Sequence, residues 1–167
     1  MRDFRRIAEA MVDLAPRNLE ISELVEAVRQ RLGGLIVQTI VPVKMPLPAI
    51  TFDSALESLL VQSVQSAPQA SWPFEPELAR RIISVIDEAV QPMLVAARSF
   101  AIITSPLCRA AVGRLLRAQY SDVAVLSFLE IPETKKVEVI AIVGGPGSLT
   151  EPAAPDAPQE IGGPYAD

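Results

Sequence analysis

The residues able to do chemistry in this chain are few and scattered. Ser105 and Cys108 follow an apolar run, Phe100–Thr104, where a strand gives way to a helix. Nucleophile elbows sit at such turns, but they need glycines on both sides of the serine. Here the neighbours are Thr104 and Pro106, so Ser105 reads as a helix N-cap with proline at the first helical position. Cys108 falls on one helix face with Val112, Leu115 and Leu116, where a lone cysteine acts as a small buried hydrophobe. A helix start can lower a thiol pKa, so a small cysteine-dependent enzyme stays as a third reading. The chain has no histidine, which removes the commonest general base and metal ligand and the usual Ser-His and Cys-His pairs.

The remaining candidates each have a simple structural account. Gly144-Gly-Pro-Gly-Ser148 follows a strand, but no lysine stands in P-loop register and no helix follows, so it reads as an exit from the fold. Asp53 and Glu57 lie one helical turn apart and read as an N-cap and a solvated glutamate. Arg114 and Arg117 share the solvent face of the helix carrying Cys108, ready for an acidic partner or simply solvated. Trp72-Pro73-Phe74 sets two aromatics beside a loop, either to anchor an interface or to staple the next helix. No catalytic, cofactor-binding or metal-ligating residue emerges. The chain reads as a binding or assembly module and not an enzyme, with Trp72, Phe74, Arg114 and Arg117 as candidate protein-interaction residues.

Composition sets the frame around these residues. Of 167 residues half are hydrophobic but only 5 % aromatic, so a real core is built mainly from Leu, Ile, Val and Ala. Net charge is −5, and four of the twenty acids follow Gly144, where Lys and Arg are absent. The near-neutral body argues against nucleic-acid binding. A single cysteine forbids an internal disulfide, consistent with a reducing compartment. The charged start Met1–Arg6 lacks the apolar core of a signal peptide, and no apolar run reaches the roughly 18 residues of a membrane span, so no membrane contact is expected from this segment.

Periodicity places the elements. Phe4, Ile7, Met11 and Leu14 form the buried stripe of a first helix, and Ile21, Leu24, Val25, Val28 and Leu32 that of a second. Gly33-Gly34 is a local stop signal. Leu35–Val43 stays open between a strand and a helix persisting to about Gln38. Ala49–Phe52 reads as a short edge strand. Helices follow from Asp53 to about Gln65 and from Glu75-Pro76 to Pro92, which ends or kinks the second. Phe100–Thr104, the helix after Ser105, Val123–Leu126 and Val137–Val143 make a β-α-β-β unit. The fold class is mixed α+β and α/β, in two or three layers with a short sheet: a helical subdomain over 1–68, an α/β subdomain over 69–143, and a disordered Pro/Gly/Ala-rich tail over 144–167.

Several of these segments also resemble a known family. Ile102-Ile-Thr-Ser-Pro-Leu-Cys-Arg109 and Val123-Ala-Val-Leu-Ser-Phe-Leu-Glu-Ile-Pro132 resemble the C-terminal cytoplasmic region of the large export-gate proteins of bacterial type III secretion, the flagellar FlhA and injectisome LcrD (FHIPEP) family. Phe128 stands where that family usually has tyrosine. Arg2–Ala10, Ala15-Pro16, Leu24–Leu32 and Ile50–Glu57 resemble further family segments in the same order, with Ser54 replacing the usual proline. The likeness extends the second helix about one turn past Gly33-Gly34.

The resemblance implies the third and fourth cytoplasmic subdomains of a gate at the inner membrane. That gate assembles as a nine-membered ring and receives export substrates, chaperones and stalk or ATPase-complex proteins. It implies no cofactor. A flagellar system is favoured over an injectisome. The alternative is a free-standing soluble adaptor with the same fold.

Overall fold

The computed structural model describes residues 2–67 and 72–144. The N-terminal part is helical: α1 (Arg2–Leu14), α2 (Ile21–Arg31) and α3 (Gly33–Ile40). Then come β1 (Leu47–Phe52), α4 (Ser54–Ser66), α5 (Pro76–Val95), β2 (Ala101–Thr104), α6 (Pro106–Arg117), β3 (Ala124–Ser127) and β4 (Val137–Val143). The four strands form one sheet in the order β3-β2-β1-β4, parallel throughout. A parallel sheet needs crossovers and cover on both faces, and the two clusters of apolar side chains supply it. On one face Ile50, Ile102 and Val125 pack with Leu56 and Leu60 of α4, Ile82 and Ile86 of α5, and Val112 and Leu116 of α6. On the other, Leu47, Ala49, Ala101, Ile103 and Leu126 pack with Val37 and Val41 at the end of α3. Alternating residues of β2 thus enter different cores, so all four are buried.

Three expectations are corrected here. The segment Ala49–Phe52 is no edge strand: β1 is interior and pairs with both β2 and β4, with a bulge after Ala49. The position near residue 68 therefore does not separate helices from sheet, because β1 and α4 lie before it and build the α/β layer. The apolar stripes of α1 and α2 are also largely open. Leu14 is buried, joined by Ala10, while Phe4, Met11, Ile21 and Val25 are exposed. Periodicity reports an amphipathic helix but not what covers its apolar side.

The open choice at 35–43 resolves to helix. Helical backbone resumes at Gly33 after a break at Leu32 (φ −93°, ψ 2°) and runs to Ile40. Both glycines stay inside it, two turns rather than one past the local stop signal. Gly33 is present for contact and not for a turn: a Cβ there would lie 1.9 Å from the carbonyl oxygen of Glu130. Pro92 likewise fails to stop α5, which runs to Val95 and ends where Ala97 takes a left-handed conformation (φ 49°). The expected tail beyond Gly144 lies outside the described residues.

Candidate protein-interaction site

The central polar feature is a carboxylate inside the fold. Glu130 ends a 3₁₀ turn, Phe128–Glu130, that follows β3 directly. It is 1 % exposed, and a charge so placed must be paired and hydrogen-bonded. Arg29 of α2 meets it through Nη2 at 2.7 Å and Nε at 3.3 Å. Ser127 donates its N–H and its hydroxyl to Oε1, each at 3.3 Å. Arg109 of α6 stands 3.7 Å away and gives its Nε to both oxygens of Glu26 on α2, at 2.9 and 3.0 Å. Two acids and two arginines thus tie α2, α6 and the end of β3 into one neutral network.

This network also closes one edge of the sheet. β3 is an edge strand, and its outer side meets side chains in place of a fifth strand. Arg29 Nη2 lies 3.5 Å from the Val125 carbonyl, while Glu130 accepts the Ser127 N–H. Blocking an edge with charged side chains keeps it from templating a foreign strand. The 3₁₀ turn held by Glu130 leaves Phe128 and Leu129 exposed.

Glu57 is a second anchor and corrects the reading of a solvated glutamate. Its carboxylate accepts the Ser105 N–H at 2.7 Å and the Thr104 hydroxyl at 3.0 Å, fastening α4 to the β2–α6 junction. Ser105 does occupy the N-cap of α6, but its hydroxyl makes no capping bond, and its buried oxygen meets no hydrogen-bond geometry with any described residue. Asp53 caps α4 as expected, accepting the Leu56 N–H at 2.7 Å. Cys108 is fully buried, and burial pushes its thiol pKa up, partly offset by the neighbouring Ser105 side chain and reinforced by the nearby Glu57 charge. Among the described residues no group of His, Cys, Asp or Glu could hold a metal ion.

The four candidate contact residues separate. Phe74 is 2 % exposed and belongs to the core, so it staples the start of α5. Trp72 stands on it edge-on, ring centroids 5.5 Å apart at 89°. The Arg114 guanidinium lies 5.1 Å above the Trp72 ring. Trp72 keeps 42 % of its surface, so Trp72 and Arg114 form one exposed cation–π pair. Arg117 instead borders a different recess, beside Arg29 and Arg109. The loop suggested by Gly144–Ser148 lies outside the described residues except for Gly144. That residue has φ 95° and sits where a Cβ would strike Leu56.

Sequence reasoning gave Glu26, Arg29, Arg109 and Glu130 no tertiary role and took Glu57 for a solvated glutamate. One signal was available for Glu130: a single acid enclosed by Phe128, Leu129 and Ile131 must be turned out to water or given a partner inside.

A parallel sheet thus lies between helices, and the polar side chains of Glu26, Arg29, Glu57, Arg109 and Glu130 join its elements. The same fold recurs in the structure of nonameric EPEC SctV-C (TM-score 0.73, 24 % identity, 85 % of this chain and 43 % of that one). It recurs in the complex of Chlamydia pneumoniae CdsV and CdsO (TM-score 0.73, 19 % identity, 85 % and 42 %). The chain belongs to the FHIPEP family, whose model matches residues 1–136. It is 30 % identical over 145 residues to the flagellar biosynthesis protein FlhA of Salmonella typhimurium, covering 87 % of this chain and 20 % of that one. The chain thus spans about a fifth of the length of the curated relatives it matches.

Proposed function

We propose that this chain is a cytoplasmic, ring-forming part of a bacterial type III protein export gate, working at the inner membrane as a docking platform. The observation that carries this reading is the family match across residues 1–136. Self-assembly into a ring is supported by the nonameric relative, and an approach by stalk or ATPase-complex proteins by the CdsV–CdsO pair. Export substrates and their chaperones are further partners under the same reading. A flagellar system is favoured over an injectisome because, within Salmonella typhimurium, the identity is 30 % to FlhA and 26 % to the secretion system apparatus protein SsaV. The segment itself contributes surfaces and no catalysis, a role that a buried, proton-retaining Cys108 suits. No helix among the described residues is long and apolar enough to cross a membrane.

Sedimentation velocity over a rising concentration series tests the platform reading. Reversible growth beyond a monomer supports it. A strict monomer at every concentration, with no binding to the stalk protein of the same secretion system, rejects it.

A further inference from the structure

Beside the blocked edge of β3 lies a recess of about 220 Å³. Its wall carries three guanidinium groups: Arg29 from α2, and Arg109 and Arg117 from α6. Tyr120, Ser121 and the backbone of β3 around Val125 complete it, and no carboxylate lines it. Glu130 and Glu26 hold Arg29 and Arg109 from outside the recess, each through only part of its five N–H donors. Asp87 is engaged with the Tyr120 hydroxyl. Arg117 is exposed and makes no ion pair or hydrogen bond among the described residues. The recess thus presents two inner arginines whose charges Glu130 and Glu26 already balance but whose remaining N–H donors are unspent, and one outer arginine, Arg117, whose charge is uncompensated.

The geometry points to a binding site for an acidic peptide segment, seated through a side-chain carboxylate. Arginine forks match a planar carboxylate through paired N–H donors, and ion-paired arginines give up less freedom on binding than mobile ones. The apolar remainder of the wall, Ile36 and Val123 among it, suits the methylene stem of a glutamate.

The test is a titration of the full chain, labelled with ¹⁵N, with acetyl-hexaglutamate-amide. The expected result is saturable shifts of the arginine Nε–H signals of Arg29, Arg109 and Arg117 and of the Val125 amide. Arg117→Ala, at an exposed position, should weaken binding roughly tenfold, the scale of one lost charge-assisted contact. Arg117→Lys should recover part of it, and Arg114→Ala, on the same helix but outside the recess, should leave it unchanged. Acetyl-hexaglutamine-amide should not bind. The proposal is overturned if the shifts are absent or non-saturable, if Arg114→Ala and Arg117→Ala weaken binding equally, or if inorganic phosphate shifts these signals while the peptide does not.

Discussion

Arg29 and Glu130 lie 101 residues apart and meet at 2.7 Å, the arginine on a helix that precedes the sheet and the acid just after its edge strand. A pair so placed fixes α2 against β3. Removing Arg29 leaves the buried Glu130 with only Ser127 and the more distant Arg109, and breaking a buried pair typically costs about 3–5 kcal/mol. Arg29→Met should therefore lower unfolding stability by that order in a urea titration. Pairing it with Glu130→Leu should cost less than the sum of the two single changes. Additive costs would mean that the two side chains do not act as a unit.

Gly33 and Gly34 are adjacent but not equivalent. A Cβ at Gly33 would overlap the Glu130 carbonyl, whereas one at Gly34 meets only Pro132 Cγ at 3.6 Å. Gly33→Ala should cost about 1–3 kcal/mol or more through forced backbone movement. Gly34→Ala should be neutral or gain up to about 1 kcal/mol from helix propensity. Melting temperatures of the two variants decide this, and equal effects would argue against the close approach.

Phe74, Trp72 and Arg114 form a stack running from core to solvent. Phe74→Ala should cost about 3–5 kcal/mol. Arg114→Ala should cost no more than about 1 kcal/mol, the worth of an exposed cation–π contact. If Trp72 and Arg114 contact a partner, Trp72→Ala and Arg114→Ala should weaken that association while circular dichroism and melting stay near those of the parent chain. Unchanged association would remove both from the contact surface.

Cys108 has a stability consequence with a definite sign. Burial raises the folded-state pKa above its ordinary value of 9.0, so the unfolded chain releases this proton first. The protonated thiol imposes no penalty below that value, and stability falls as pH rises through and beyond it. The pH slope above about 9 should be steeper for the parent chain than for Cys108→Ala. At neutral pH a thiol reagent should label the native protein far more slowly than the unfolded one. Rapid native labelling would revive the cysteine-dependent enzyme.

How much of this could be read from residues alone follows from the range of each interaction. Asp53 as a cap, Ser105-Pro106 as a helix start and the buried run at β2 depend on neighbours in sequence, and they were legible. The interior place of β1 was not, because strand order is set by partners some 50 and 90 residues away. Continuation through Gly33-Gly34 overrode a local stop signal because α3 covers Leu47 and Leu126 on the second face. The grouping of Glu26, Arg29, Arg109 and Glu130 joins charges 83 and 101 residues apart, which no local pattern pairs. Of the predicted contact residues, tertiary packing withdrew Phe74 into the core and set Arg117 apart from Arg114.

The export-gate reading is tested most directly in the cell that carries this gene, by deleting in frame the codons for residues 99–143. The measurement is the amount of export substrate reaching the culture medium, with immunoblotting to show that the shortened protein is still made. The reading predicts that secretion is lost. Secretion at the parental level would contradict it.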